Sequence, residues 1–212
     1  MSIYSTFYAE KFVYLVWPGD YFGSIIQYFD DNVQHALESG RALGRFLYNV
    51  IAREGRQCQF VIIAHSLGCR LAAEMMSELH RLEPAVCDDF KLILMAGAVP
   101  KHDVEDNTKY GDCLAAANHA VNLYSPDDKI LSRLFYLGEL GGGRWSSEPI
   151  GLNGEPASFK WSLRRQMNKF GHSDYWRTTA VAKLIAESLG VAIDAALPEH
   201  ELEVHTPPEN EI

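Results

Sequence analysis

The chain has four cysteines, Cys58, Cys69, Cys87 and Cys113, with no Cys-x-x-Cys pair and no Cys/His spacing of a zinc site. So little cysteine excludes a disulfide-stapled scaffold and predicts small buried thiols in a reducing compartment. No His-x-x-x-His pair occurs either, and neither a metal nor an organic cofactor is expected. No run approaches ~20 apolar residues, so no membrane span is expected. Met1 to Glu10 lacks the basic region and apolar core of a signal peptide, and a cytoplasmic location is the expectation. Positive charge is in deficit: the net charge is −9, which argues against nucleic acid or an anionic membrane surface as partner. Much of that acidity is local, because Glu199, Glu201, Glu203, Glu209 and Glu211 lie in a terminal stretch without Lys or Arg. Without them the remainder carries only about −4.

What is present suits one globular domain. A chain of 212 residues, 47% of them hydrophobic, can bury one sizeable core but not two comfortable ones. Residues 1–197 are read as that domain. Residues 198–212, acidic and containing Pro207-Pro208, are expected to be a disordered tail.

Continuous apolar runs alternate with helical periodicity along this domain. Phe12 to Val16, Phe60 to Ala64, Phe90 to Gly97 and Ala120 to Tyr124 read as strands buried on both faces. Between the first two, a helix is expected over about 31–53, with Val33, Leu37, Leu43, Leu47, Val50 and Ile51 on one face and Gly40 and Gly44 allowing close packing on the sheet. Pro84 marks a loop, 99–110 is irregular and Cys113 to His119 is a short helix. Gly138 to Gly154 reads as a glycine-rich surface loop, not a phosphate cradle, since no Gly-Lys-Ser/Thr follows. Phe159, Trp161 and Phe170 either line a lid or anchor this loop. A last helix opens at Gly171 to Trp176 with Ser173 or Asp174 as cap, and stops at Gly190. The pattern predicts an α/β fold, a three-layer α/β/α sandwich with a mainly parallel sheet.

The second run organises the rest. Phe60-Val61-Ile62-Ile63-Ala64 leads into His65-Ser66-Leu67-Gly68, after which Leu67, Leu71, Met75, Leu79 and Leu82 recur at steps of three and four. Strand, sharp turn and helix therefore meet at Ser66. A turn that tight strains the serine backbone and pushes its Oγ out above the sheet edge. The flanking positions are small, Ala64 and Gly68, as a close strand-to-helix approach would need. The start of the helix aims the Leu67 backbone N–H at the place where an oxyanion would form. His65 is expected to point away from the serine and pack.

These residues resemble the nucleophile elbow, Gly-x-Ser-x-Gly, of the α/β-hydrolase superfamily, with Ala64 in place of the first glycine. The resemblance implies a triad in the chain order Ser, Asp or Glu, His. Ser66, the Asp127-Asp128 pair after the fourth run and His172 after the glycine-rich stretch supply that order. The run Tyr124-Ser125-Pro126-Asp127-Asp128-Lys129-Ile130-Leu131 is similar to the superfamily's acid loop, which points to Asp128 as triad acid. Asp127, directly after Pro126, is read as shaping the turn. Leu15-Val16-Trp17-Pro18-Gly19, Tyr28, Asp30 or Asp31, Ala36, Ser39 and Leu43, with Gly171-His172-Ser173-Asp174-Tyr175-Trp176, are similar to bacterial α/β-hydrolases of uncharacterised function. Such enzymes carry an earlier His-Gly loop that gives a second oxyanion N–H, and none precedes Phe12. Either Gly19 or Asp20 serves instead, or the chain starts late and the oxyanion hole is half built.

The resemblance implies a serine hydrolase cleaving a small-molecule carboxylic ester, esterase- or lipase-like. Ser66 would be nucleophile, His172 base, Asp128 the acid that orients it and the Leu67 N–H an oxyanion donor. A histidine base predicts activity lost on acidification through ~6.5. Acyl transfer and amide cleavage share the acyl-enzyme. The reading from a different class is a non-catalytic binding protein on the same fold.

Overall fold

A computed structural model describes residues 25–55, 59–136, 148–154, 156 and 158–190, apart from the side chains of 25–30, 188 and 189. The first apolar run, Trp17 to Asp20, Cys58 and the acidic tail lie outside these residues.

The described residues begin with a long helix, α1 (Ile25–Glu54), which closes at Gly55, where φ is +82° and the N–H donates to the Ile51 carbonyl at 2.8 Å. Strand β1 (Phe60–His65) runs into α2 (Leu67–Leu82) through Ser66 alone. Strand β2 (Phe90–Met95) follows, then a short helix α3 (Gly111–Ala115) and strand β3 (His119–Tyr124). A π-helical turn (Leu131–Phe135), a one-turn helix α4 (Ile150–Asn153), strand β4 (Leu163–Gln166) and helix α5 (Thr179–Leu189) complete the described chain.

The strands form one sheet in the order β1-β2-β3-β4, every pair parallel, so all four carboxyl ends share one edge. The register sets Ile62 beside Leu92 and Ala64 beside Leu94. Because side chains alternate across a strand, each face receives its own core. Ala64, Leu92, Leu94 and Ala120 pack under Leu47, Ile51, Met75, Met76 and Leu79 of α1 and α2. On the other face Ile93, Met95, Val121 and Leu123 meet Leu131, Phe135, Met167, Tyr175 and Val181. Helices on both faces of a parallel sheet give the expected three-layer α/β sandwich. No helix among the described residues is long and apolar enough to cross a membrane.

The departures from the sequence reading have local causes. Gly40 and Gly44 pack α1 on α2, not on the sheet: a Cβ at Gly40 would sit 2.5 Å from the Leu71 carbonyl oxygen, and one at Gly44 2.8 Å from that of Met75. Beside them Arg41 and Arg45 donate to Glu74 and Glu78 of α2 at 2.8 and 2.7 Å. β1 is at the end of the described strand order and is not buried on both faces; Val61 and Ile63 are exposed. Pro84 starts a 3₁₀ helix (Pro84–Asp89), as its fixed φ and missing N–H permit at a helix start. The end of the glycine-rich stretch is built into the fold, with Ile150 and Gly151 buried; 137–147 lie outside the described residues. Phe159 is buried and Trp161 packs beside it at 4.4 Å, both against the α1–α2 core. Gly171 to Trp176 does not open the last helix. It forms a separate 3₁₀ turn (Asp174–Trp176), and α5 starts at Thr179 with neither Ser173 nor Asp174 as its cap. Strand β4, Leu-Arg-Arg-Gln, has no counterpart in the sequence reading: it is four residues long and mostly exposed, so apolar patterning is missing.

Candidate active site

Ser66 joins β1 to α2 with φ +53° and ψ −123°, a conformation that turns usually fill with glycine. Neighbouring backbone holds it there. The Ser66 N–H donates to the Met95 carbonyl, and its own carbonyl accepts the N–H groups of Ala98 and Cys69, all at 3.0–3.1 Å. Buried Arg70 donates from Nε to the Ala98 carbonyl at 2.9 Å and so braces the same loop. Leu67 is the first residue of α2, so its N–H has no acceptor within the helix. A Cβ at Gly68 would meet nothing within 4 Å, so close packing does not explain the glycine that follows the serine.

Asp128 and His172 reach the same edge from the segments after β3 and β4. His172 Nε2 is 2.8 Å from Ser66 Oγ, and its Nδ1 is 2.8 Å from Asp128 Oδ2. A carboxylate only accepts, so Nδ1 carries the proton and donates it to Asp128, which leaves the Nε2 lone pair to accept the Ser66 hydroxyl. Asp128 is fully buried, an arrangement that is costly for a carboxylate without donors. Three are present, because its Oδ1 also accepts the N–H groups of Ile130 and Leu131, each at 3.0 Å. Ser66, Asp128 and His172 thus come together in one hydrogen-bonded run. Gly19 and Asp20 lie outside the described residues.

The segment carrying His172 is tied down from several sides. Asp127 Oδ2 accepts the Lys169 N–H at 2.7 Å, Ser125 Oγ donates to the Phe170 carbonyl at 2.8 Å, and Asp174 Oδ2 accepts the Gly171 N–H at 2.7 Å. Asp127 therefore acts across two segments and does not merely shape its own turn. His65 departs further from the sequence reading. It faces the site: its Nε2 lies 2.6 Å from the His172 carbonyl oxygen and its ring 4.8 Å from the His172 ring. Burial lowers its pKa to about 4 against the raising effect of that hydrogen bond. No sequence signal marked Ser125, Asp127 or His65 for these roles, since each partner is more than forty residues away.

Asp127, Lys129, Ile130, Lys169, Gly171 and His172 line an open cleft of about 410 Å³ beside the imidazole. Cys69, close by on α2, is fully buried, and burial pushes its thiol up to about 12, which favours the protonated thiol over the thiolate. Among the described residues no three His, Cys, Asp or Glu side chains gather as a metal site requires.

Comparison with known proteins adds one finding. Neither the curated proteins nor the solved structures contain a significant match to this chain. A protein family described as "Alpha/beta hydrolase of unknown function (DUF900)" matches residues 3–137, which include Ser66 and Asp128 but stop short of His172. With well over half of its length matched and a parallel sheet between two helical layers, the chain belongs to this α/β-hydrolase family of unknown function.

Proposed function

We propose that the protein is a serine hydrolase acting on carboxylic esters through an acyl-enzyme. The observation that supports this is the run Asp128 Oδ2, His172, Ser66 Oγ, with both hydrogen bonds at 2.8 Å and the serine at a strained strand-to-helix turn. A serine hydroxyl is a weak nucleophile at neutral pH and needs a base within hydrogen-bond reach. Ser66 Oγ attacks the acyl carbon while His172 Nε2 takes its proton. The carbonyl oxygen gains the negative charge and accepts the Leu67 N–H. Asp128 holds the imidazole in the required tautomer and stabilises the imidazolium. The tetrahedral intermediate collapses, the ester C–O bond breaks, and His172 returns the proton to the departing alkoxide. Water then repeats the sequence on the acyl-enzyme and releases the acid. The cleft beside His172, with Ile130 exposed on its wall, offers space for part of a small-molecule ester.

Two measurements test the proposal. A fluorophosphonate probe is expected to label the wild-type chain and not Ser66→Ala. A panel of nitrophenyl esters is expected to be cleaved by the wild type, with Ser66→Ala slower by about 10³-fold or more. Equal ester rates for the two proteins, or no labelling of the wild type, would leave the fold to a binding role without catalysis.

A further inference from the structure

We propose that His65 is a positioning residue, which locks the segment of His172 to the nucleophile strand through a hydrogen bond from its Nε2–H to the His172 main-chain carbonyl. The inference rests on the serine-hydrolase reading above. Its warrant is geometric. A carbonyl oxygen only accepts, so at 2.6 Å the hydrogen must reside on His65 Nε2, which fixes the tautomer of this ring. The ring is also wedged between His172, at 4.8 Å, and two aromatic groups of the 3₁₀ turn that follows it, Trp176 at 5.7 Å and Tyr175 at 6.1 Å, each tilted by 56–58°.

The connectivity gives this bond its particular effect. The other ties of the segment run to the acid loop, from Ser125 and Asp127, or stay within it, from Asp174. His65 reaches it from β1, one peptide bond from Ser66. The path from nucleophile to base through His65 is therefore one peptide unit, one imidazole and one hydrogen bond long. An error in the height of the imidazole above Ser66 is resisted by this path more directly than by ties through the acid loop. The groups facing the ring suit a permanent hold. They are His172, Tyr175 and Trp176, with the Asp128 charge behind them, and desolvation keeps His65 neutral down to about 4. The lock thus keeps the same charge over the range in which an ordinary histidine base titrates.

The test compares His65→Phe with His65→Gln. Phenylalanine keeps an aromatic ring in the wedge and removes the N–H; glutamine offers an amide N–H to the same carbonyl. For His65→Phe we expect kcat on nitrophenyl esters to fall about 10- to 100-fold with KM little changed, as misplacement of a reacting group by about 1 Å would give. Fluorophosphonate labelling of Ser66 should slow in parallel while the thermal midpoint holds. His65→Gln should recover most of the loss. A His65→Phe protein with wild-type kcat overturns the proposal, and so does a His65→Gln protein as impaired as His65→Phe, which would indicate ring packing alone. Should His65→Phe fail to fold, imidazole ¹⁵N–¹H correlation spectra of the wild type decide the matter. They should show His65 as the neutral Nε2–H tautomer at pH 5 to 8, and an Nδ1–H tautomer overturns the lock. A wild-type chain that takes no probe overturns the hydrolase reading and the positioning role with it. Failure of this inference alone looks different: the wild type labels, and His65→Phe labels as fast.

Discussion

At the scale of single residues, the site is an exercise in keeping acceptors supplied with donors. Asp128 spends one oxygen on two backbone N–H groups and the other on His172, which leaves the carboxylate no freedom to turn. Asp127, its neighbour, is exposed and holds the Lys169 N–H. The two aspartates therefore predict different losses. Replacing Asp127 by alanine removes an anchor of the histidine segment and is expected to lower kcat by about tenfold, with Asp127→Asn closer to wild type because an amide oxygen still accepts. Steady-state kinetics on a nitrophenyl ester would check this; an Asp127→Ala protein indistinguishable from wild type would show that the segment is held without it. That Ser66, Asp128 and His172 would meet at one sheet edge was legible in the sequence, since a strand-to-helix switch at a serine and the chain order of acid and base leave few alternatives. The bracing by Ser125, Asp127 and His65 was not legible. Hydrogen bonds to main-chain carbonyl and N–H groups depend on where the backbone passes, and no residue type at the distant position encodes that.

At the scale of elements, α1 and α2 form a close joint. Gly40-Arg41 and Gly44-Arg45 repeat at one helical turn, and Glu74 and Glu78 repeat at the same interval on α2. The glycines let the backbones approach, and the approach brings each arginine to its glutamate. This pairing was half legible: the glycine spacing was visible, but a lone helix pattern does not say whether its small residues face a sheet or another helix. Gly40→Ala is expected to destabilise the fold by about 1–3 kcal/mol, because the new Cβ meets main chain that cannot swing aside. Gly68→Ala, with open space around the added methyl, should change stability by no more than about 1 kcal/mol and in the stabilising direction if at all. Urea denaturation of both variants tests the contrast; a Gly40→Ala midpoint equal to wild type would mean that the two helices separate at no cost. The strands read as continuous apolar runs because β2 and β3 are covered on both sides. β1 carried the same signature while leaving Val61 and Ile63 exposed, so a run without alternation does not by itself reveal a strand's neighbours.

For the whole molecule, the acidic composition has a consequence for stability in acid. The Arg81 guanidinium, with Arg45, holds the Glu78 carboxyl down to about 2. Burial pushes Glu74 up, but Lys109, Tyr110 and Arg41 together keep it below the ordinary carboxylate range. A carboxyl whose pKa is lower in the native state than in the unfolded chain releases its proton on folding. It adds stability above about 4.5, its ordinary value, and that contribution fades as the pH falls toward about 2. His65 acts in the same direction over a higher window. The unfolded chain takes up its proton near 6.5 and the native state only near 4, so acidification between these values also favours unfolding. Urea midpoints of wild type and Glu78→Gln should therefore differ most at neutral pH and converge only toward about pH 2. A gap that stays constant across that range would show that the arginines do not hold this carboxylate in the native state.

Ser66 and His172 stand 106 positions apart along the chain, and His172 and Asp128 stand 44 apart, yet the atoms that matter lie 2.8 Å from one another. No fragment shorter than that span brings them together. On the serine-hydrolase reading, covalent capture of a reactive-serine reagent by this chain would therefore double as a gauge of nativeness: labelling would require an assembled sheet edge, and a partly denatured preparation would announce itself by a shortfall in labelling stoichiometry.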